Sequence, residues 1–425
     1  MADELGGTNY QPVSKADLIR SKGYQCQEFE VTTQDSYVLS MQRIPHGRWV
    51  SLFPPTRSRR PPVILVHGFL SSAVEWVINY PHQSLGFLLA DAGYDVWLAN
   101  LRGTPYARQH LHLTDEDTKY WNFGLDEVGL YDIPALVDYV LTLTGWSELF
   151  YVGFSQANAA AWVTLSEKPE YNAKMRLLLA LAPIGNVTHL RSPARHITPW
   201  SPLLTAGYPM ALLMSVSEKL VVILTRGRAG RDAQDKGPHA ALVTLNRGRV
   251  LVREPSHRYA SYTLCDTTTH MRYLCSTPGF HFLGVNHAQL NLTRLPVYMA
   301  HYPSGASQKN MEQFFQIRRA KQFRKYSYGA WGNLKLYGQP VAPTYDLSRV
   351  RVPVAMFSSL ADYLAPPEDV AALRANLRHV LVYDYVVPDP NFSHLDFVLG
   401  FRVYEILYKP MLELLDVWSR DYLVV

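Results

Sequence analysis

The sequence predicts an α/β fold: a mostly parallel central sheet with helices on its faces, interrupted by an inserted, mainly helical cap. Three observations predict it. Apolar runs of strand length alternate with stretches of helical spacing, the order that a parallel sheet with crossover helices requires. His67-Gly68, Asn100 and Ser155 fall at the carboxyl ends of such runs, where open α/β sheets bind their ligands. The alternation then breaks down from Gly185 to about Gln308 and resumes afterwards. A stretch of that length is too long for a plain loop in a compact domain. The expected division is residues 1–184 as the first part of the core, 185–308 as the cap or lid, and 309–425 as the second part of the core.

Taken in order, the elements justify this reading. The start, MADELGGTNYQPVSK, is polar and acidic and lacks the basic and apolar regions of a signal peptide. Gln25 to Val31 and Tyr37 to Arg43 suit strands joined by the turn Thr33-Gln34-Asp35-Ser36, an opening antiparallel hairpin. Arg48 to Arg60 is basic and contains prolines, so it reads as a loop. Pro62 to Val66 is an apolar strand entering His67-Gly68-Phe69-Leu70, and Tyr94 to Asn100 is another, followed by Arg102-Gly103. Asp126 to Thr142 has helical spacing, with Val128, Tyr131, Ile133, Leu136, Val137 and Val140 apolar. Leu149 to Val152 is a buried-strand run and Arg176 to Pro183 a further one. Beyond the cap, Asn310 to Lys325 is helical, Val352 to Ser358 and Val380 to Val387 read as strands of the same buried type, and Asp396 to Leu415 as one or two helices interrupted at Pro410.

Composition narrows the function classes. A chain of 425 residues that is 48% hydrophobic buries a large core. A net charge of +5 with only 18% charged residues is weak attraction for a polyanion. The basic segment Arg226 to Arg258 lacks interleaved aromatics, so it reads as a solvated surface and no nucleic-acid partner is expected. No uncharged apolar run reaches about 18 residues, so no membrane-spanning helix is expected. His110-Leu111-His112 has no accompanying carboxylate or cysteine framework, and no metal is expected there. Of the three cysteines, Cys265 and Cys275 could close a small loop with Cys26 left over, or all three could be thiols. Asn186, Asn291 and Asn391 begin glycosylation sequons, which matter only in a secretory compartment.

Chemistry concentrates at Gly153-Phe154-Ser155-Gln156-Ala157. Strand, sharp turn and helix is the setting of a nucleophile elbow of the G-x-S-x-G type, although a serine in an ordinary strand-to-helix turn would look similar. Asp362 lies just past the run Val352 to Ser358, and His394 follows the loop Pro388 to Ser393 after the last strand. The order Ser, Asp, His fits a triad in which Ser155 attacks an ester carbonyl, His394 carries its proton and Asp362 fixes the imidazole. Glu368, Asp369 and Asp396 are rival acids. The oxyanion donors would be the backbone N–H groups of Phe69 and Gln156. The apolar run Leu203 to Leu224 is either cap core or a lid face turned to acyl chains.

Several stretches together resemble the acid lipase family of α/β-hydrolases, which includes the gastric and lysosomal acid lipases. They are PPVILVHGFLSSAVEWV from Pro61, DAGYDVWLANLRG from Asp91, WNFGLDEVGLYD from Trp121, HYPSGASQKNM from His301, LADYLAPPEDV from Leu360 and SHLDF from Ser393. The resemblance runs from about Gly23 to about Met411 and is weakest between about Val216 and Ser261. It implies an α/β-hydrolase fold and hydrolysis of neutral lipid esters, triacylglycerols or cholesteryl esters, without any cofactor. It also implies contact with a lipid droplet or membrane interface through the cap. It places the nucleophile on Ser155, the acid on Asp362, the base on His394 and the oxyanion amides on Phe69 and Gln156. It further implies a disulfide between Cys265 and Cys275, a glycan at Asn291, and a secreted or lysosomal location. The family elbow reads G-H-S-Q-G, so Phe154 and Ala157 are departures. Two other readings stay open: a carboxylesterase for short acyl chains, and a lipid-binding protein on the same scaffold, disabled by Ala157.

Overall fold

In the computed structural model, which describes residues 15–48, 59–196, 248–250, 284, 286 and 288–420, the apolar runs become the strands of one central sheet. They are β1 (Gln27–Thr32), β2 (Tyr37–Ile44), β3 (Pro62–Val66), β4 (Asp95–Asn100), β5 (Leu149–Phe154), β6 (Met175–Leu181), β7 (Val354–Ser358) and β8 (Leu381–Val386). Their order across the sheet is β1-β2-β4-β3-β5-β6-β7-β8, and a two-residue strand, Gln109–His110, also pairs with β2. The opening hairpin is antiparallel to itself and to β4, and every pairing from β4 to β8 is parallel. Every residue of β3, β4, β5 and β7 is buried, because crossover helices cover both faces of a parallel sheet.

Three elements differ from the sequence reading for local physical reasons. β8 is not buried like its neighbours but alternates half-buried and exposed residues. It lies at the sheet edge, where Asp384 pairs with Arg374 at 2.6 Å, a charge of the kind that discourages further strand addition. The stretch read as helical over Asp126 to Thr142 is helical from Leu125 to Thr144, but with a π-helical turn, Val128–Asp132, between Leu125–Glu127 and α1 (Ile133–Thr144). The turn brings Gly129 so close to the next helix that a β-carbon there would lie 2.5 Å from the Val163 side chain. Pro410 does not interrupt a helix. It sits at the second residue of the helix Lys409–Arg420, directly after a π-helical turn at Tyr404–Tyr408.

The helix that follows β5, α2 (Gln156–Glu167), is buried from Gln156 to Ser166, and its alanines let it lie against the sheet. The side chain of Arg102, just after β4, is fully buried and bonds Asp132 and Asp35, with Nε to Asp132 at 2.7 Å and the guanidinium over the Tyr37 ring at 3.9 Å. This ties the opening hairpin, the β4 end and the π-helical turn into one rigid support beneath the strand ends.

β6 ends at Leu181 and β7 begins at Val354, yet the two strands pair directly. The chain between them leaves the sheet. Its returning part, 288–308, rests on the core: the helix Leu295–His301 is held by the Tyr298 hydroxyl on Asn79, and Arg294 donates to the carbonyl of Ile78. Arg249–Val250 and Ala306–Ser307 pair as a short antiparallel ladder. The run Leu203 to Leu224, the pair Cys265 and Cys275, and all of Arg226 to Arg258 except 248–250 lie outside the described residues. Among the described residues no helix is long and apolar enough to cross a membrane.

Candidate active site

Ser155 stands between β5 and α2 with φ 57° and ψ −116°. This is a strained conformation for a residue with a β-carbon, of the kind that accumulates at functional sites. The local sequence over-determines it. Leu181, at the end of β6, accepts both the Ser155 N–H at 3.0 Å and the Asn158 side-chain amide at 2.8 Å. At Gly153 a β-carbon would come within 2.5 Å of Asn158 Oδ1 and 2.9 Å of the Tyr151 ring, so only glycine lets the helix fold back over the strand. The Tyr151 hydroxyl donates to the carbonyl of Ala157 at 2.9 Å and fixes the first turn of α2.

Two loops from the far half of the chain complete the arrangement. Asp362 follows β7, and His394 follows β8 and precedes the helix Asp396–Leu399. His394 Nε2 lies 2.8 Å from Ser155 Oγ. Its Nδ1 lies 2.8 Å from Asp362 Oδ2 and 2.9 Å from Oδ1. Asp362 Oδ1 also accepts the N–H groups of Leu364 and Ala365, each at 2.8 Å. Asp362 is 0% exposed, His394 2% and Ser155 3%, so this hydrogen-bonded chain of side chains lies where bulk water is largely excluded. The rival acids are engaged elsewhere: Glu368 pairs with Arg191 at 2.8 Å, Asp369 with His189 at 2.8 Å, and Asp396 accepts the Ser393 N–H at 2.7 Å.

The loop after β3 passes directly over the serine. A β-carbon at Gly68 would meet the Ser155 β-carbon at 3.2 Å and the Phe154 ring at 2.9 Å. Phe69 follows in this loop, and Gly68, Phe69 and Gln156 line one cavity together with Asn310. Asn310 donates to the Gln156 side chain at 3.0 Å, and the Ser304 N–H donates to the carbonyl of Leu70 at 2.8 Å. His67 is a bracing residue: its Nε2 accepts the Leu101 N–H at 3.1 Å, so its Nδ1 carries the proton and donates to the Gly68 carbonyl at 2.8 Å. Sequence reasoning did not single out Asn310, Ser304 or Glu75, all of which act on this loop or on Gln156. The only signal for the three was their place in quoted family stretches.

Comparison with known proteins decides the assignment. The family description "Partial alpha/beta-hydrolase lipase region" matches residues 15–80, and "alpha/beta hydrolase fold" matches 61–212. Lipase member K of Homo sapiens is 31% identical over 98% of this chain and 94% of its own length. The gastric triacylglycerol lipase of Bos taurus is 32% identical over 94% of this chain and 90% of its own length. The chain belongs to the acid lipase family of α/β-hydrolases. It is accordingly a carboxylic ester hydrolase of the lipase type. A solved structure from Sulfolobus solfataricus, 11% identical and covering 93% of this chain and 95% of its own, shares the fold with a TM-score of 0.55.

Within this lipase the two departures from the family elbow have defined surroundings. The Phe154 ring packs on the His394 imidazole with centroids 4.9 Å apart and on Phe397 at 6.5 Å. It therefore fills the space between the His394 imidazole and Gly68 with an apolar wall. Ala157 is fully buried within α2, and the hydrogen bond between Ser155 and His394 is intact beside it. His110 Nδ1 accepts the N–H groups of His112 and Leu113 at 3.0 and 3.2 Å, a local turn, while its ring stands edge-on to Tyr37. Asn291 is half-buried, and its Oδ1 accepts the Thr293 N–H at 3.1 Å, opening the helix Leu295–His301; Asn186 is half-buried as well. Cys265 and Cys275, the proposed disulfide pair, lie outside the described residues.

Proposed function

We propose that this lipase cleaves carboxylic esters of neutral lipids through an acyl-enzyme on Ser155. The observation that supports this most is the unbroken hydrogen-bond chain from Ser155 Oγ through His394 to Asp362, at 2.8 Å on each side of the imidazole. With Nδ1–H turned to Asp362, Nε2 offers its lone pair to the serine hydroxyl. Ser155 Oγ attacks the ester carbonyl carbon while His394 takes its proton, and Asp362 stabilises the resulting imidazolium. The carbonyl oxygen becomes an oxyanion facing the N–H groups of Phe69 and Gln156. When the tetrahedral species collapses, the bond to the alcohol oxygen breaks and His394 protonates the departing alcohol. Water then repeats the cycle on the acyl-enzyme: His394 removes its proton, the hydroxide oxygen bonds to the acyl carbon, and Ser155 leaves with the proton returned.

Triacylglycerol or cholesteryl ester is the proposed substrate, supported by the names of the relatives and by the apolar wall that Phe154 gives the site. We assign 185–308 to a cap that meets a lipid interface. Emulsified long-chain triacylglycerol should be hydrolysed faster than a soluble short-chain aryl ester at equal ester concentration. The opposite ranking would favour the short-chain carboxylesterase. A fluorophosphonate should label Ser155; an unlabelled, folded protein would leave only the lipid-binding reading.

The proposed location is secretory or lysosomal, as the resemblance implies. In a secretory host, Asn291 should carry an endoglycosidase-sensitive glycan that Asn291→Gln removes, seen as one step in mass. Absence of any sensitive mass in the secreted protein would remove the glycan from Asn291, and retention of the protein inside the host cell despite a supplied leader would count against that location.

A further inference from the structure

One buried acid has no part in this mechanism. Glu75 lies in the 3-10 turn Ala73–Trp76 and is 1% exposed. Its Oε1 accepts the N–H of Gly68 at 3.2 Å. Its Oε2 accepts the hydroxyls of Ser71 and of Tyr302, the latter at 3.2 Å. Gly68 and Ser71 bracket Phe69, so a single carboxyl grips both ends of the short loop that presents the Phe69 amide. Tyr302 reaches it from the returning part of the insertion, which also holds Leu70 through Ser304.

Among the described residues, the groups that face Glu75 include no cation. Tyr302 and Tyr408 face it from the segments after Leu295–His301 and within Tyr404–Tyr408, and burial raises both phenols far above the neutral range. His67, at the end of β3, is tied to the Gly68 carbonyl and the Leu101 amide. Burial without a counter-charge pushes the Glu75 carboxyl up to about 8, against the lowering effect of its three hydrogen-bond donors. Below that value it carries a proton, which it donates to one of the two hydroxyl oxygens while Oε1 still accepts from Gly68. Above it, a negative charge stands one short loop away from the place where the substrate oxygen becomes negative, inside a site where charges interact strongly.

We infer that Glu75 is a positioning residue of the oxyanion site: in its protonated form it holds Gly68 and Ser71 so that the Phe69 amide faces the substrate oxygen, and its ionisation weakens that site. This rests on the assignment of Ser155 and Phe69 made above.

The test is kcat and KM of the full chain on a soluble aryl ester from about pH 5 to 10, with background hydrolysis subtracted. Glu75→Ala should lower kcat by roughly 30- to 100-fold with KM within about twofold, the signature of a donor moved by about an ångström. Glu75→Gln keeps an acceptor for Gly68 and a donor for the hydroxyls. It should recover most of that loss at about pH 6 and should lack the alkaline decline expected of wild type near pH 8. Tyr302→Phe removes one donor to the ionised form, so its decline should shift to higher pH. Persistence of the decline in Glu75→Gln, equal impairment of the Gln and Ala variants, or a rise in KM at constant kcat would overturn the inference. If Glu75→Ala does not fold, the profiles of Glu75→Gln and Tyr302→Phe decide alone. Fluorophosphonate labelling of Ser155 in wild type is read separately, so failure of the serine assignment is not mistaken for failure of Glu75.

Discussion

Replacing Ser155 with alanine is expected to lower kcat by about 10⁵- to 10⁶-fold, to the level left by substrate binding and the oxyanion amides alone. The Oγ is the only atom removed, and it is the atom that His394 Nε2 touches at 2.8 Å. Stability should hardly change, because alanine keeps the β-carbon that makes φ 57° unfavourable. Ser155→Gly should be equally inactive yet more stable by about 1 kcal/mol, since glycine occupies that conformation without strain. Stopped-flow release of an aryl leaving group measures the first effect, and urea denaturation separates the two variants. Undiminished turnover in a purified, folded Ser155→Ala protein would remove this serine from the reaction.

Asp362→Asn should cost about 10⁴-fold in kcat with little change in fold. The direction follows from the contacts. Asp362 Oδ1 accepts the N–H groups of Leu364 and Ala365, so an asparagine must put its carbonyl oxygen there. Its NH₂ then occupies the place of Oδ2 and faces His394 Nδ1, which is 2.8 Å away in the native protein. Two donors cannot share that contact, so the imidazole takes the tautomer with the proton on Nε2. That nitrogen can no longer accept the Ser155 proton. The loss should therefore appear in kcat at neutral pH and in slower fluorophosphonate labelling of Ser155. A kcat within about tenfold of wild type would show that Asp362 does not set the tautomer.

The fold was legible because strands buried on both faces are written as nearly continuous apolar runs, as in Val63 to Val66 and Leu149 to Val152. Ser155 and Asp362 could be singled out for a related reason, since each closely follows such a run, whereas His394 follows the edge strand β8 across the loop Pro388 to Ser393. The edge character of β8 was not legible, because an edge strand and an interior strand can share composition and differ only in what lies beside them. Glu75 was hidden more deeply. In SSAVEWV it reads as a polar residue of a short turn, and its burial depends partly on Tyr302, 227 positions away. The supports of Gln156 and Leu70 come from Asn310 and Ser304 in the same way. Local sequence pattern reports which strand end a residue occupies; it does not report which distant loop will close over it.

The direct pairing of β6 with β7 across the insertion governs how this chain is made. During synthesis, β6 emerges with nearly all its residues apolar and its outer edge unpaired, and it waits until Val354 has been translated. Closing so long an excursion adds little to the equilibrium cost, about 0.6 kcal/mol for each doubling of its length. The hazard is temporal: an uncovered hydrophobic edge on a half-made sheet invites pairing with a neighbouring nascent chain. The longer that edge stays bare, the larger the share of chains expected to mispair, and Ser155 can meet His394 only once the second part of the core has been translated.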